Sequence, residues 1–355
     1  MRVSLKKALN ALFIILSLAV VFLIAFGSGD LYITLDAFRQ MDYRWLAGVF
    51  CCWCVYTLFD AMNYWCYLRR QGFRISIGRA IIIALIGFYY SNITPSAAGG
   101  QPMQVHSMRN AGIPVGYGTM SVTIRFITNQ TMISLISLAL LLINRGFVYH
   151  QLGDAIWIVR FGWIINFSAV PMIILSAYKR NWIQRLAEMI INGLSRIRLI
   201  RHKEAALAKL TEVLDTYHSA FLDLIHSPGQ ILLQFACSAI SVTGLFMTIV
   251  FVYKAFGQSG TPIHQLFALS SLLYISASAT PLPGASGAQE GGFILYFRGI
   301  FAEHLIGIAL LIWRFFTFYL YLIVGVFTVV WEKMIIRREK KRKSKTPDFI
   351  QQKNI

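Results

Sequence analysis

Residues Ala11–Gly27, ALFIILSLAVVFLIAFG, run without one charged side chain, and nearly as apolar stretches recur at about 45–68, 117–143, 155–178, 230–253 and 305–331. With their flanks, such runs are long enough to cross about 30 Å of hydrocarbon as helices. No water reaches a backbone N–H or C=O in lipid, so a spanning chain must satisfy its own hydrogen bonds. The composition agrees: 57% of the residues are hydrophobic and 14% charged, whereas a soluble domain is nearer a quarter charged. The predicted fold class is an all-α polytopic membrane protein. Arg2, Lys6 and Lys7 precede the first run as they would in a signal peptide. Its apolar core is too long and no convincing cleavage site follows, so a retained helix is expected.

The net charge is +18, from 33 Lys and Arg against 15 Asp and Glu. These basic residues flank apolar runs and form no groove interleaved with aromatics, so no nucleic-acid partner is predicted. The N-terminus, 69–79, 179–229 and the tail from 331 hold 24 Lys and Arg, while 28–44, 144–154 and 254–264 hold four. Positive-inside bias places the first set, with both termini, in the cytoplasm and the second set outside. Trp182, Leu186, Ile190 and Ile191 make 179–229 read as an amphipathic insertion on the anionic inner surface. A docking helix for a partner lipid synthase is the rival reading. Residues 336–355 read as a basic tail. Cys51, Cys52, Cys54, Cys66 and Cys237 all lie in apolar segments and read as small buried packing residues.

Two further apolar stretches, 79–116 and 265–303, are each broken near the middle by Pro and Gly. The charge map requires the first to begin and end inside and the second to begin and end outside. Each therefore reads as a re-entrant hairpin of two short helices, giving about six full spans plus two hairpins. Helix start to hairpin start is 34 residues in the first half (45 to 79) and 35 in the second (230 to 265). Pro95 to Arg125 is 30 residues, and Pro283 to Arg314 is 31. The chain from 1 to 335 reads as one membrane domain built from an inverted repeat, about 9–143 and 155–331. A site is expected where the broken segments meet.

The breakers are informative residue by residue. Pro95 ends the first inward helix, Gly99 and Gly100 allow a turn, and Gln101 and Pro102 can start a new helix. Asn92 and Thr94 can satisfy the freed backbone. Pro281, Pro283, Gly284 and Gly287 repeat the device. A helix N-terminus created inside the membrane attracts anions. Asp60, Arg125, Glu290 and Arg314 are the ionisable groups well inside the predicted spans, and each costs about 2.5–3.5 kcal/mol there unless paired. Depth along the helices matches Asp60 with Arg125, and Glu290 with Arg314. Those pairs either only hold helices together or belong to a translocation site with Asn92, Pro95, Gly99, Gly100, Pro283, Gly284 and Gly287.

No GxxxxGK[ST], HExxH or GxSxG occurs, so no catalytic residue, metal or cofactor is assigned and an enzyme is not expected. His106 has no second ligand and reads as structural.

These motifs resemble the flippase-like transmembrane region of the lysylphosphatidylglycerol synthase/flippase family, also called multiple peptide resistance factor. Asn92, Pro95, Gly99, Gly100 and Pro102 match its Asn-x-x-Pro…Gly-Gly-x-Pro segment. Pro281, Pro283, Gly284, Gly287 and Glu290 match Pro-x-Pro-Gly-x-x-Gly-x-x-Glu, and Arg314 and Gly325 lie on the Arg-aromatic helix that follows. Arg125 matches an intramembrane Arg that an acidic residue often precedes in the family; here Ile124 does. The resemblance covers nearly the whole chain and implies the flippase half, without the C-terminal aminoacyl-transferase domain.

The resulting expectation is a translocase for an anionic or aminoacylated phospholipid, or another lipid-linked headgroup. Membrane lipids are its partners and a homo-oligomer is admitted. In that reading Arg125 and Arg314 hold the phosphate, Asp60 and Glu290 balance them, and Glu290 is the candidate proton carrier. With the resemblance, the expected location is the cytoplasmic membrane of a prokaryote. A secondary transporter or channel for a small soluble anion or ion is the alternative, and a membrane subunit or enzyme of lipid modification is the second.

Overall fold

The structure is a computed structural model that describes residues 36, 38–178, 185, 189, 203–278 and 280–345. The apolar run at 9–27, the end of the basic tail and, apart from Arg185 and Met189, the amphipathic stretch at 179–202 lie outside the described residues. Among the described residues the chain is helical and holds no strand, only an isolated bridge between Arg298 and Phe301.

The first half contributes α1 (Arg44–Arg70), α2 (Ile77–Asn92), a short turn at Pro95–Ala97, α3 (Gly100–Asn110) and α4 (Val115–Ile143). A small α5 (Arg145–Leu152) and then α6 (Ile156–Tyr178) follow; α7 (Lys203–Ile225) connects to the second half. That half repeats the order as α8 (Pro228–Ala255), α9 (Ile263–Ala277), a turn at Pro283–Ala285 and α10 (Ala288–Phe297). It ends with α11 (Ile306–Arg314), a π-helical turn at Phe315–Tyr319 and α12 (Leu320–Lys345). Local chemistry sets several starts: the Ser76 hydroxyl caps α2 by accepting from Arg79 N at 3.2 Å, and Pro228 opens α8 where its missing N–H costs nothing.

Among the described residues four helices are long and apolar enough to cross a membrane: Arg44–Arg70, Val115–Ile143, Pro228–Ala255 and Ile306–Arg337. The expected helix near 155–178 is present as α6, with Pro171 inside it. Both broken stretches fold as hairpins, α2 against α3 and α9 against α10. Their returning arms have 11 and 10 residues, and Gly112 and Gly299, both at positive φ, turn the chain after them.

The corresponding helices α1 and α8 form the most extensive pairing in the molecule. They run antiparallel: Asp42 N donates to Ala255 O at 2.9 Å, Ser241 Oγ to Tyr56 O at 3.0 Å, and Arg70 Nη2 to Ser227 Oγ at 2.8 Å. Small residues permit the approach, since a Cβ on Gly244 would lie 3.2 Å from Cys52 O. Each hairpin's first helix packs on the last long helix of the other half, α2 on α12 and α9 on α4. Such crossed, antiparallel packing is the geometry an inverted repeat produces.

Two apolar cores sit at opposite ends of the α1–α8 pair. One gathers the start of α1, the end of α8 and the second hairpin; the other gathers the end of α1, the first hairpin and α7. The distribution of polarity is reversed relative to a soluble protein. Leu142, Ile143, Trp157, Ile164, Leu232 and Phe327 are more than 60% exposed, whereas Asp60, Asn63, Gln234, Ser238, Ser241 and Thr128 are buried. Lipid suits the first group, and the second supplies interhelical hydrogen bonds such as Thr128 Oγ1 to Ser238 Oγ at 2.8 Å.

Two expectations change. Cys51 and Cys54 are exposed rather than packed inside, because the lipid-facing surface is as apolar as the core; Cys52 and Cys237 are buried. Part of the 179–229 insertion is not a free surface: Ala220, Phe221 and Leu224 on α7 pack into the first-hairpin core.

Candidate functional site

The tips of the two hairpins touch. Ser96 N donates to Pro281 O at 2.9 Å, so the two breaks meet midway between the cores. Each break has the same backbone form, a proline opening a short turn whose next residues are left-handed: Ser96 (φ 52°) and Ala97 (φ 54°) in the first, Gly284 (φ 59°) and Ala285 (φ 50°) in the second. Ser and Ala pay a steric penalty at such angles, and residues held there concentrate at functional sites.

In the first break, Thr94 Oγ1 donates to Tyr90 O at 2.6 Å and accepts from Gly99 N at 2.9 Å, satisfying backbone at both sides of the interruption. Pro95 opens the turn. Asn92, expected to share that capping work, instead faces the cavity described below. Gly99 and Gly100 are needed for space: a Cβ on Gly100 would lie 2.0 Å from Ser91 Oγ and 2.8 Å from Gly87 O. Gly100→Ala is therefore expected to force α2 and α3 apart and destabilise the protein by about 1–3 kcal/mol. A Cβ on Gly291, also in a hairpin helix, meets nothing, so Gly291→Ala is expected to be neutral or stabilising. Unfolding of the two variants in detergent checks both directions.

The second break is braced by charge. Arg314 and Glu290 are 1% and 2% exposed. Arg314 Nε donates to Glu290 Oε1 at 2.6 Å, Nη1 to Gln289 Oε1 at 2.7 Å, and Nη2 to Gly284 O at 3.2 Å and Ser286 Oγ at 3.3 Å; Nη2 also lies 2.6 Å from Glu290 Oε1. The guanidinium lies over the Phe318 ring, 4.7 Å from its centroid. Glu290 Oε2 accepts from Gly287 N at 2.6 Å, capping α10, and Gly287 takes φ 86° to present that N–H. Pro283 opens this turn. Gly284 fits because its φ is positive and a Cβ there would lie 2.1 Å from the Phe318 ring.

Arg125 pairs with the fully buried Asp60, Nε donating to Oδ1 at 2.5 Å, and its guanidinium sits 5.9 Å from the centre of the Phe88 ring. The halves thus differ. Arg314 grips its own hairpin, whereas Arg125 is held by α1, because the position corresponding to Glu290 is Pro102.

Beside the junction lies a cavity of about 350 Å³ lined by α2, α4, α6, α9, both breaks and the π turn. Of the residues expected at the site, Asn92, Gly284 and Arg314 line it, whereas Asp60, Pro95, Gly99, Gly100, Arg125, Pro283, Gly287 and Glu290 do not. The remaining lining was not singled out in the sequence and includes Gln130, Asn166, Thr280, Thr317 and the rings of Tyr56 and Tyr321. The π turn directly after Arg314 brings Thr317 and Phe318 to this wall. His106 is exposed and stands apart from the site.

Polar latches join the far end of each hairpin to the opposite half. At one end Glu332 on α12 accepts from Arg79 Nη2 at 2.9 Å and from the Ser107 hydroxyl. At the other, His264 Nδ1 on α9 donates to Asn144 Oδ1, after α4, at 2.5 Å. Glu332 follows Arg314 by 18 residues and Asn144 follows Arg125 by 19, so the latches occupy corresponding places in the repeat.

A family model described as the lysylphosphatidylglycerol synthase TM region matches residues 9–325. The chain belongs to this family. A UPF0104 membrane protein of Archaeoglobus fulgidus is 25% identical over 264 residues, covering 73% of this chain and 77% of that protein. No solved structure matches the chain. Family and apolar helices together make it a multi-pass membrane protein.

Proposed function

We propose that the protein is a lipid translocase of the cytoplasmic membrane, a transporter and not an enzyme. The observation that carries this reading is a cavity bearing amide, hydroxyl and guanidinium groups at the meeting point of two helix breaks, in a bundle whose outer surface is apolar. Irregular backbone at membrane depth is stable only against protein or water, and here both breaks face each other and the cavity. A headgroup occupies the cavity while its acyl chains stay in lipid.

Basic segments place the first hairpin as re-entrant from the cytoplasm and the second from outside, with both termini cytoplasmic. The latch at Arg79–Glu332 then closes the cytoplasmic side and the latch at Asn144–His264 the outer side. Transport proceeds by releasing them in turn. Both oxygens of Glu290 are engaged, which supports a bracing role over proton carriage and favours downhill movement.

Purified protein in liposomes with acyl-labelled lipids and an impermeant quencher tests the reading. Wild type is expected to expose the protected half of the label, and Thr280→Trp, which fills the cavity from the second break, to stop it while the protein stays folded. No lipid movement, with flux of small anions through the same vesicles, would replace the proposal with the soluble-anion transporter.

A further inference from the structure

The chemistry of the cavity wall narrows what the headgroup is, on the reading that the cavity is the translocation site. Among the described residues Arg314 is the ionisable Asp, Glu, Lys, Arg or His that lines it. Its charge is cancelled by Glu290 at 2.6 Å, and its guanidinium donates to Gln289, Gly284 O and Ser286 as well. An incoming phosphate meets a guanidinium already neutralised, with four of its five N–H donors engaged, and an incoming ammonium finds no carboxylate on the wall. The wall, largely apolar, still carries several uncharged polar groups. Asn92, Ser96, Gln130 and Thr280 all face the cavity and make no side-chain hydrogen bond within the described protein.

Amides and hydroxyls both donate and accept. A set of them left unpaired suits a ligand that also does both at several adjacent points, as vicinal hydroxyls do. Aromatic rings line the cavity beside these groups, among them Tyr56, Phe88, Phe318 and Tyr321, and they add an apolar surface that suits the C–H faces of a sugar ring. At about 350 Å³ the cavity is near the small end of ligand sites, which run from about 300 to 1,000 Å³. It holds a sugar-sized group.

We infer that the cavity recognises a neutral polyhydroxylated group, a glycosyl or polyol headgroup, in preference to a free anion or an aminoacyl cation. The group could arrive on a lipid or as a free sugar, and the test separates these sources. Liposomes carrying the purified full chain receive trace acyl-labelled glucosyl diacylglycerol, phosphatidic acid or lysyl-phosphatidylglycerol, and parallel vesicles are loaded with radiolabelled glucose.

The glycolipid is expected to cross at least about tenfold faster than either phospholipid. Gln130→Leu and Asn92→Leu are expected to remove most of that preference, about tenfold for the loss of a few hydrogen bonds, with unaltered thermal unfolding as the folding control. Equal rates for all three lipids, or variants that slow every lipid alike, overturn the inference and leave the translocase standing. Glucose flux without glycolipid movement keeps the sugar chemistry and overturns the translocase. No movement of either glycolipid or glucose, with phospholipid crossing, removes the sugar inference alone.

Discussion

Arg314→Ala is expected to destabilise the protein by about 3–5 kcal/mol, because it leaves Glu290 charged, 2% exposed and without its partner. The same change releases the Gly284 carbonyl, the Gln289 amide and Ser286 from a single guanidinium. The second break then loses the group that fixes its shape, so transport should vanish even where folded protein is recovered. Arg314→Lys keeps the charge but not the planar fork, and is expected to fall between wild type and alanine. The double variant Arg314→Met, Glu290→Leu separates the two roles. Removing both charges restores much of the stability, as paired apolar replacements of buried ion pairs do, but not the geometry of the break. Unfolding in detergent measures the first quantity and the liposome assay the second. A double variant that transports like wild type would show that the ion pair only glues helices.

This pairing was legible in the sequence because the bilayer leaves so few alternatives. Four charges in apolar runs had to find partners, and counting residues from the basic flanks put Asp60 level with Arg125 and Glu290 level with Arg314. The breaks were legible for a similar reason: Pro95 and Pro283, each with glycines after it, cannot continue a membrane helix. The repeat followed from equal spacings between these features.

The cavity wall was not legible. Gln130 and Asn166 are amides in long helices, indistinguishable by pattern from polar residues that tie helices together, as Asn63 and Gln234 do. Their role depends on which way a helix is rotated, and a helix apolar nearly all round carries little information about rotation. The same lack of contrast hid the exposure of Cys51 and Cys54. The latches were hidden differently, since Arg79 and Glu332 lie in segments whose charge was already explained by orientation. Only the 18- and 19-residue spacings from the two arginines marked them.

Locking either latch is expected to stop transport entirely. With the five native cysteines replaced, Asn144→Cys and His264→Cys would be joined by a short cleavable bifunctional thiol reagent, and Arg79→Cys with Glu332→Cys likewise. Each bridge ties a hairpin's outer end to the opposite half, α9 to the end of α4 in one case and α2 to α12 in the other. In an inverted repeat the two ends open by the same motion run in opposite senses, so a full cycle needs both to release. Lipid exposure should therefore fall to background with either bridge and return on reductive cleavage. Locking only one end and finding inhibition only there would mean that the other hairpin is static. That is a real alternative, because Arg314 braces the second hairpin to its own half while the Asp60–Arg125 pair leaves the first hairpin without such a grip. Undiminished transport with both bridges formed would place the lipid path outside the hairpin junction altogether.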